Sequence, residues 1–265
     1  MKKLNRFDAS LRVSLVEVLA SFNFYMAALI VFCALIVECS EDVLQALRHD
    51  MSGVVFGAAD KFNISIKVGY YIYAAPLACA FAASGNIVSD LEAGFYRLRL
   101  MKSGRNAYAY GVFVGSTLGG GLALMLGELL FAFACAGLYD VSIPVNEIAA
   151  VDAWLPVLTS PHANWAYMLL HALLALLFGM IWSGIGLTIS LYSPNRYVSY
   201  LAPFIVCFCT VLVLPVNVQP LEMLVQINWT SFTFLKLLCY QAVLYALVMA
   251  WFKYAFERRV VHEQG

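Results

Sequence analysis

The chain has 265 residues, of which 63% are hydrophobic and only 12% charged, with sixteen bases against sixteen acids and a mean hydropathy of +0.81. Soluble domains carry about 25% charge, and an apolar surplus on this scale has no place to hide in a water-soluble core of this length. The composition therefore excludes an ordinary soluble domain, and the zero net charge gives no reason to expect a nucleic-acid partner.

Residues 1–21 come first. Phe7, Leu11, Leu15, Val18 and Phe22 step by four, four, three and four residues, with Asp8, Arg12, Ser14 and Glu17 between them. This spacing predicts an amphipathic interfacial helix leading into a first span. The first apolar run starts late and lacks a small-residue cleavage site, so no cleaved signal peptide is expected.

About 20 apolar residues cross the roughly 30 Å of hydrocarbon in a bilayer. Six stretches qualify: Phe22–Val37, Val68–Val88, Tyr110–Leu138, Trp165–Leu191, Tyr197–Pro215 and Phe232–Phe252. Together they predict an all-α polytopic membrane protein, a single transmembrane domain over 1–265 with an interfacial helix at 1–21, a six-span bundle at 22–252 and a short tail at 253–265.

The segment between spans two and three, "SDLEAGFYRLRLMKSGR", concentrates charge between two nearly uncharged runs. Ser89 and Glu92 form an S-x-x-E capping box, which predicts a helix starting there. Leu91, Phe95, Leu98 and Met101 recur at helical spacing, Arg97, Arg99 and Lys102 gather toward the C-terminal end where the helix dipole favours cations, and Ser103-Gly104 ends it. Such a helix is either a basic anchor on the membrane surface or a docking element.

Span three carries Gly111, Gly115 and Gly119 at intervals of four, followed by Gly120 and Gly121. A glycine stripe lets another helix approach closely, from the same chain or from a second protomer. Two ionisable residues lie within spans, Glu128 in the third and Lys236 in the sixth. Counted from the basic ends of their helices they reach similar depths, about 27 and 24 Å. They read either as an ion pair, or shared polar spot, between spans three and six, or as independent residues near one interface, with Lys236 snorkelling outward. His171 is the one histidine of four within a span and reads as a hydrogen-bonded core residue. The seven cysteines read as small apolar core residues.

Between spans five and six, "VLPVNVQPLEMLVQINWT" is too apolar for an open loop and too broken by proline to span. It predicts a re-entrant or interfacial hairpin packed within protein.

The bases set the orientation. Twelve of the sixteen fall on one side: Lys2, Lys3, Arg6 and Arg12; Arg97, Arg99, Lys102 and Arg105; Arg196; and Lys253, Arg258 and Arg259. Only Arg48, Lys61 and Lys67 fall on the other. Both termini are expected in the cytoplasm, with the acidic first, third and fifth loops outside.

With these elements in place, the whole chain resembles the permeases of the ABC-2 (type V) class of ABC exporters. Members of that family carry an elbow helix before span one, a coupling helix between spans two and three, often written E-x-x-x-G followed by Leu- and Arg-containing turns, and a broken hairpin between spans five and six. In "DLEAGFYRLRL", Asp90 and Gly94 have that spacing with Asp in place of Glu, Leu98 and Leu100 follow, and Glu92 stands two residues before the glycine. The resemblance implies ATPase-coupling roles for Asp90, Glu92, Gly94, Phe95, Arg97, Arg99 and Lys102. It also implies a dimer with a second permease copy or paralogue, a plasma-membrane location, and a separate ATPase subunit that holds ATP and Mg, this chain binding no cofactor or metal itself. The chain contains no G-x-x-x-x-G-K-[ST] phosphate-cradling loop. Two other classes compete. An ion-coupled secondary transporter would use Glu128 and Lys236, and an intramembrane enzyme would need a catalytic cluster that no HExxH or paired-acid motif supplies.

Overall fold

A backbone crossing hydrocarbon must close its own hydrogen bonds, and outside closed barrels only helices do so. A computed structural model describes residues 2–47, 57–141, 163–215, 219–220 and 234–262, and almost all of them are helical. The chain order is α1 (Lys2–Leu19), α2 (Phe22–Ile36), one 3-10 turn (Val37–Cys39), α3 (Ser40–Leu47), α4 (Ala58–Val68), α5 (Tyr71–Glu92), α6 (Phe95–Ser103), α7 (Arg105–Leu138), α8 (Ala163–Tyr192), α9 (Arg196–Val213) and α10 (Phe234–His262). Six of these stretches are long and apolar enough to cross a membrane: Phe22–Gln45, Tyr71–Glu92, Arg105–Leu138, Asn164–Tyr192, Arg196–Val213 and Lys236–Arg259. This is compatible with a multi-pass membrane protein.

Helix α7 is the axis of the bundle. Its 34 residues extend about 51 Å at 1.5 Å each, longer than the hydrocarbon, and it packs against α1, α2, α5 and α8. Small residues permit this on several faces at once. A Cβ built on Gly115 would lie 2.8 Å from the Leu11 carbonyl oxygen of α1, and one on Gly127 would lie 2.8 Å from the Ala28 carbonyl of α2. On another face, a Cβ on Gly120 would lie 2.8 Å from the Cys79 carbonyl of α5. Close backbone approach is thus what these glycines provide. The stripe Gly111–Gly115–Gly119 faces Ser10, Leu11, Ser14 and Val18 of α1, so the partner it admits is a helix of the same chain.

Serine and asparagine set two helix starts. Ser21 accepts from Phe24 N at 3.2 Å and so separates α1 from α2, and Asn195 caps α9 by accepting from Tyr197 N at 2.9 Å. Pro76 and Pro203 lie inside α5 and α9, as tolerated in apolar helices packed among neighbours.

Three sequence expectations need correction. The capping box at Ser89–Glu92 does not form, because α5 runs on through Glu92 and the Ser89 hydroxyl donates to the Gly85 carbonyl at 3.0 Å. The short helix starts instead at Phe95, after Gly94 in the left-handed region at φ 70°, where glycine carries no Cβ penalty. The segment between the first two spans is not an open loop: α4 buries Ala58, Phe62, Ser65 and Ile66 against the bundle. The tail expected at 253–265 continues α10 as far as His262. The hairpin expected between spans five and six lies largely at 216–218 and 221–233, outside the described residues.

Candidate functional site

At one end of the bundle the bases cross-link helix ends. Arg99 of α6 grips Glu17 of α1 with both guanidinium nitrogens, at 3.0 and 2.5 Å, and its Nη1 lies 2.9 Å from Asp90 Oδ2 of α5. A bidentate guanidinium–carboxylate pair is among the stronger ionic contacts, and the Glu17 hydrogen bonds hold the Arg99 guanidinium above its ordinary pKa. Arg196 reaches Ser89 at 3.1 Å and Glu92 at 3.4 Å, joining α9 to α5. Arg259 donates to the Leu191 carbonyl at 2.7 Å and Arg105 to the Glu257 carbonyl at 3.4 Å. Asp90 and Glu92 thus serve different arginines, one from α6 and one from α9.

Helix α6 lies between two glycines of positive φ, Gly94 at 70° and Gly104 at 82°. It is fastened from its inner side by Arg99 and by Tyr96, which is buried. Arg97 donates from Nε to the Tyr96 hydroxyl at 3.0 Å. Lys102 is exposed in the last turn. Phe95, Leu98 and Met101 are 56%, 53% and 75% exposed. They recur every three residues, so they share one face of a short helix.

Toward the opposite end, Glu128 of α7 is 0% exposed. Its Oε1 accepts from the Tyr71 hydroxyl of α5, and its Oε2 lies 3.0 Å from His171 Nδ1 of α8. Both carboxylate oxygens are therefore engaged by two other helices. The His171 ring meets Phe62 of α4 edge-on at 5.7 Å, and Phe62 stacks on Phe131 at 5.8 Å. Beside them Tyr167 donates to Asn63 Oδ1 at 2.9 Å, and Asn164 binds Ala59 N at 3.2 Å and the Val141 carbonyl at 2.6 Å. Helix α4 so closes over the carboxylate, and an ion pair of Lys61 with Asp42 at 2.6 Å fastens it outside. A carboxyl and an imidazole are thus in direct contact in a buried position.

Lys236 is exposed in the first turn of α10 and is not within ion-pair distance of Glu128. The partner that sequence reasoning missed is His171. It lies eight residues, about 12 Å, into α8 from Ala163, and Glu128 lies ten residues, about 15 Å, before the end of α7 at Leu138; these similar depths were the available signal. Tyr71 carried none, since a tyrosine at a span end ordinarily marks an interface. Among the described residues no group of three or more His, Cys, Asp or Glu could hold a metal ion.

No protein-family model matches the chain, and no curated protein matches it. The arrangement of these residues therefore carries the functional reading by itself.

Proposed function

We propose that this chain is the membrane-spanning permease subunit of an ATP-driven exporter of the ABC-2 class, with α1 as its elbow helix and α6 as its coupling helix. The single observation that carries this reading is the exposed apolar face of α6, presented between two glycines and braced by Arg99 against α1 and α5. The two glycines set α6 off from α5 and α7, and Arg99 fixes which of its faces turns inward. In this reading α6 seats in a groove of a separate ATPase, both termini lie in the cytoplasm, and a second permease copy or paralogue completes the pathway.

The geometry supports a route for the motion. Displacing α6 pulls on Asp90 at the end of α5 and on Glu17 in α1. Helix α1 is pressed into the glycine face of α7, and α5 meets α7 and α8 again at Tyr71–Glu128–His171. Helices α5 and α7 are tied at both ends, so they respond to α6 as a unit. The test is the pair of charge reversals Arg97→Glu and Arg99→Glu in the purified complex. ATP hydrolysis should continue while transport in proteoliposomes stops. Transport undiminished by both reversals would remove the coupling role.

A second reading is favoured by the Glu128–His171 contact, a proton-binding pair buried in a span. In an ion-coupled secondary transporter this pair would replace the partnership of Glu128 with Lys236. Transport driven by a pH gradient without ATP, and lost in Glu128→Gln, would establish that reading in place of the first.

A further inference from the structure

Between α8, α9 and α10 lies a cavity of about 170 Å³. Ile181, Ile185, Val206 and Leu244 supply its apolar walls. Thr210 of α9 and Tyr240 of α10 line it too, and so do two polar side chains that are each only 2% exposed, Trp182 of α8 and Gln241 of α10. Neither has a partner: Trp182 Nε1 and both polar atoms of Gln241 are buried without a hydrogen bond.

Orphaned polar groups of this kind are uncommon, because burying an amide or indole N–H without a partner forfeits the hydrogen bond it makes in water. Apolar residues of the same shape would fill the space without that cost. Thr210 spends its hydroxyl proton on the Cys207 carbonyl at 2.6 Å. The wall contains no charged side chain, so the cavity disfavours an ion. Val206, on the cavity wall, is itself 37% exposed, so the wall reaches the outer surface of the bundle.

We infer that this cavity is a binding site for a neutral, mainly apolar molecule carrying a carboxamide group, taken from the hydrocarbon phase. The indole N–H of Trp182 donates to the ligand carbonyl, and Gln241 donates to the same oxygen or accepts from the ligand N–H. An apolar cavity near this size accommodates a molecule of about benzene dimensions or a little more, so the site takes a substituted aromatic amide or the equivalent end of a larger one. The inference stands apart from the ATPase coupling proposed above, because it concerns equilibrium binding to this chain alone.

The full chain in lipid nanodiscs is titrated with para-bromobenzamide, whose bromine quenches a tryptophan in contact with it. Para-bromocumene, of the same shape without the amide, serves as the control. The difference between wild type and Trp182→Phe isolates the signal of Trp182 from the other four tryptophans. Saturable quenching by the amide is expected, tighter than by the hydrocarbon at equal concentration in the bilayer. Gln241→Met, which keeps the length and removes both hydrogen-bonding atoms, should weaken the amide about tenfold and leave the hydrocarbon unchanged. Ile185→Phe, which narrows the cavity without adding a tryptophan, should weaken saturation by both. Quenching that rises linearly with probe, equal affinity for both probes, or an amide affinity indifferent to Gln241→Met would each overturn the site.

Discussion

Glu128→Ala removes the acceptor that two other helices share. The Tyr71 hydroxyl then loses its acceptor and His171 Nδ1 its carboxylate contact, in a buried region beside α4 and the phenyl rings of Phe62 and Phe131. A stranded buried polar group costs about 1–3 kcal/mol. In membranes single hydrogen bonds average only about 0.6 kcal/mol, because the dispersed helices find other partners. The two contacts together should therefore cost about 2–4 kcal/mol, with some of it due to the lost side-chain volume. Glu128→Gln keeps the volume and retains an oxygen and an amide N–H that suit Tyr71 and a neutral His171, so its cost should stay below about 1 kcal/mol. The assay is reversible unfolding of the purified protein in one detergent, followed by tryptophan fluorescence. Combining Glu128→Ala with His171→Ala isolates their coupling, expected at about 1 kcal/mol or more because the pair is in direct contact. Wild-type stability in Glu128→Ala, or single-mutant effects that add within about 0.5 kcal/mol, would refute the shared centre.

Other perturbations separate the remaining parts. Gly115→Ala should destabilise by about 1–3 kcal/mol, because the new methyl group meets the Leu11 carbonyl, a backbone atom that cannot turn aside; unfolding measurements on this variant report the seating of α1. Arg99→Met should free α6 from α1 and α5, seen as faster proteolysis after residues 95–103, and high salt should mimic it in part because the cluster is partly exposed. The swap Glu128→Lys with Lys236→Glu should behave no better than the worse single reversal, since the two residues do not meet, and recovered stability in the swap would contradict the described geometry. Lys67 has a buried ammonium without a partner among the described residues, and burial lowers its pKa. The unfolded chain then binds more protons than the folded one between that lowered value and the ordinary lysine value of about 10.4, so stability from this residue rises with pH through that window. Lys67→Met should stabilise at neutral pH, with the gain shrinking as pH approaches the ordinary lysine value.

The spans were legible in the sequence because twenty apolar residues have few other fates at this composition. Helix α1 was legible because its apolar residues keep a helical period, and the same period in Phe95, Leu98 and Met101 marked α6. The start of α6 was not, since Ser89 and Glu92 satisfy a capping rule locally. An apolar helix already in progress outweighs one cap, and it is the left-handed conformation of Gly94 that ends it. Helix α4 was missed because Asp60, Lys61 and Lys67 gave its sequence the polarity of a loop, while its other face carries Ala58, Phe62 and Ile66 inward. The glycine stripe announced a close helix contact without naming the partner, and α1 could be recognised only in three dimensions. Glu128 was legible as a costly residue in need of a partner. Charge complementarity pointed to Lys236, whereas a buried carboxylate is satisfied equally well by a hydroxyl and an imidazole.

The central claim is that the Phe95–Leu98–Met101 face seats in an ATPase. A photo-crosslinking amino acid placed at Leu98, in cells that make the protein with its native partners, reports what touches that face. The account predicts one protein adduct whose peptides contain a G-x-x-x-x-G-K-[ST] loop, lost when Phe95 and Met101 are both changed to serine while the folded protein remains at its normal level. Adducts confined to lipid, or to a protein without such a loop, would contradict it.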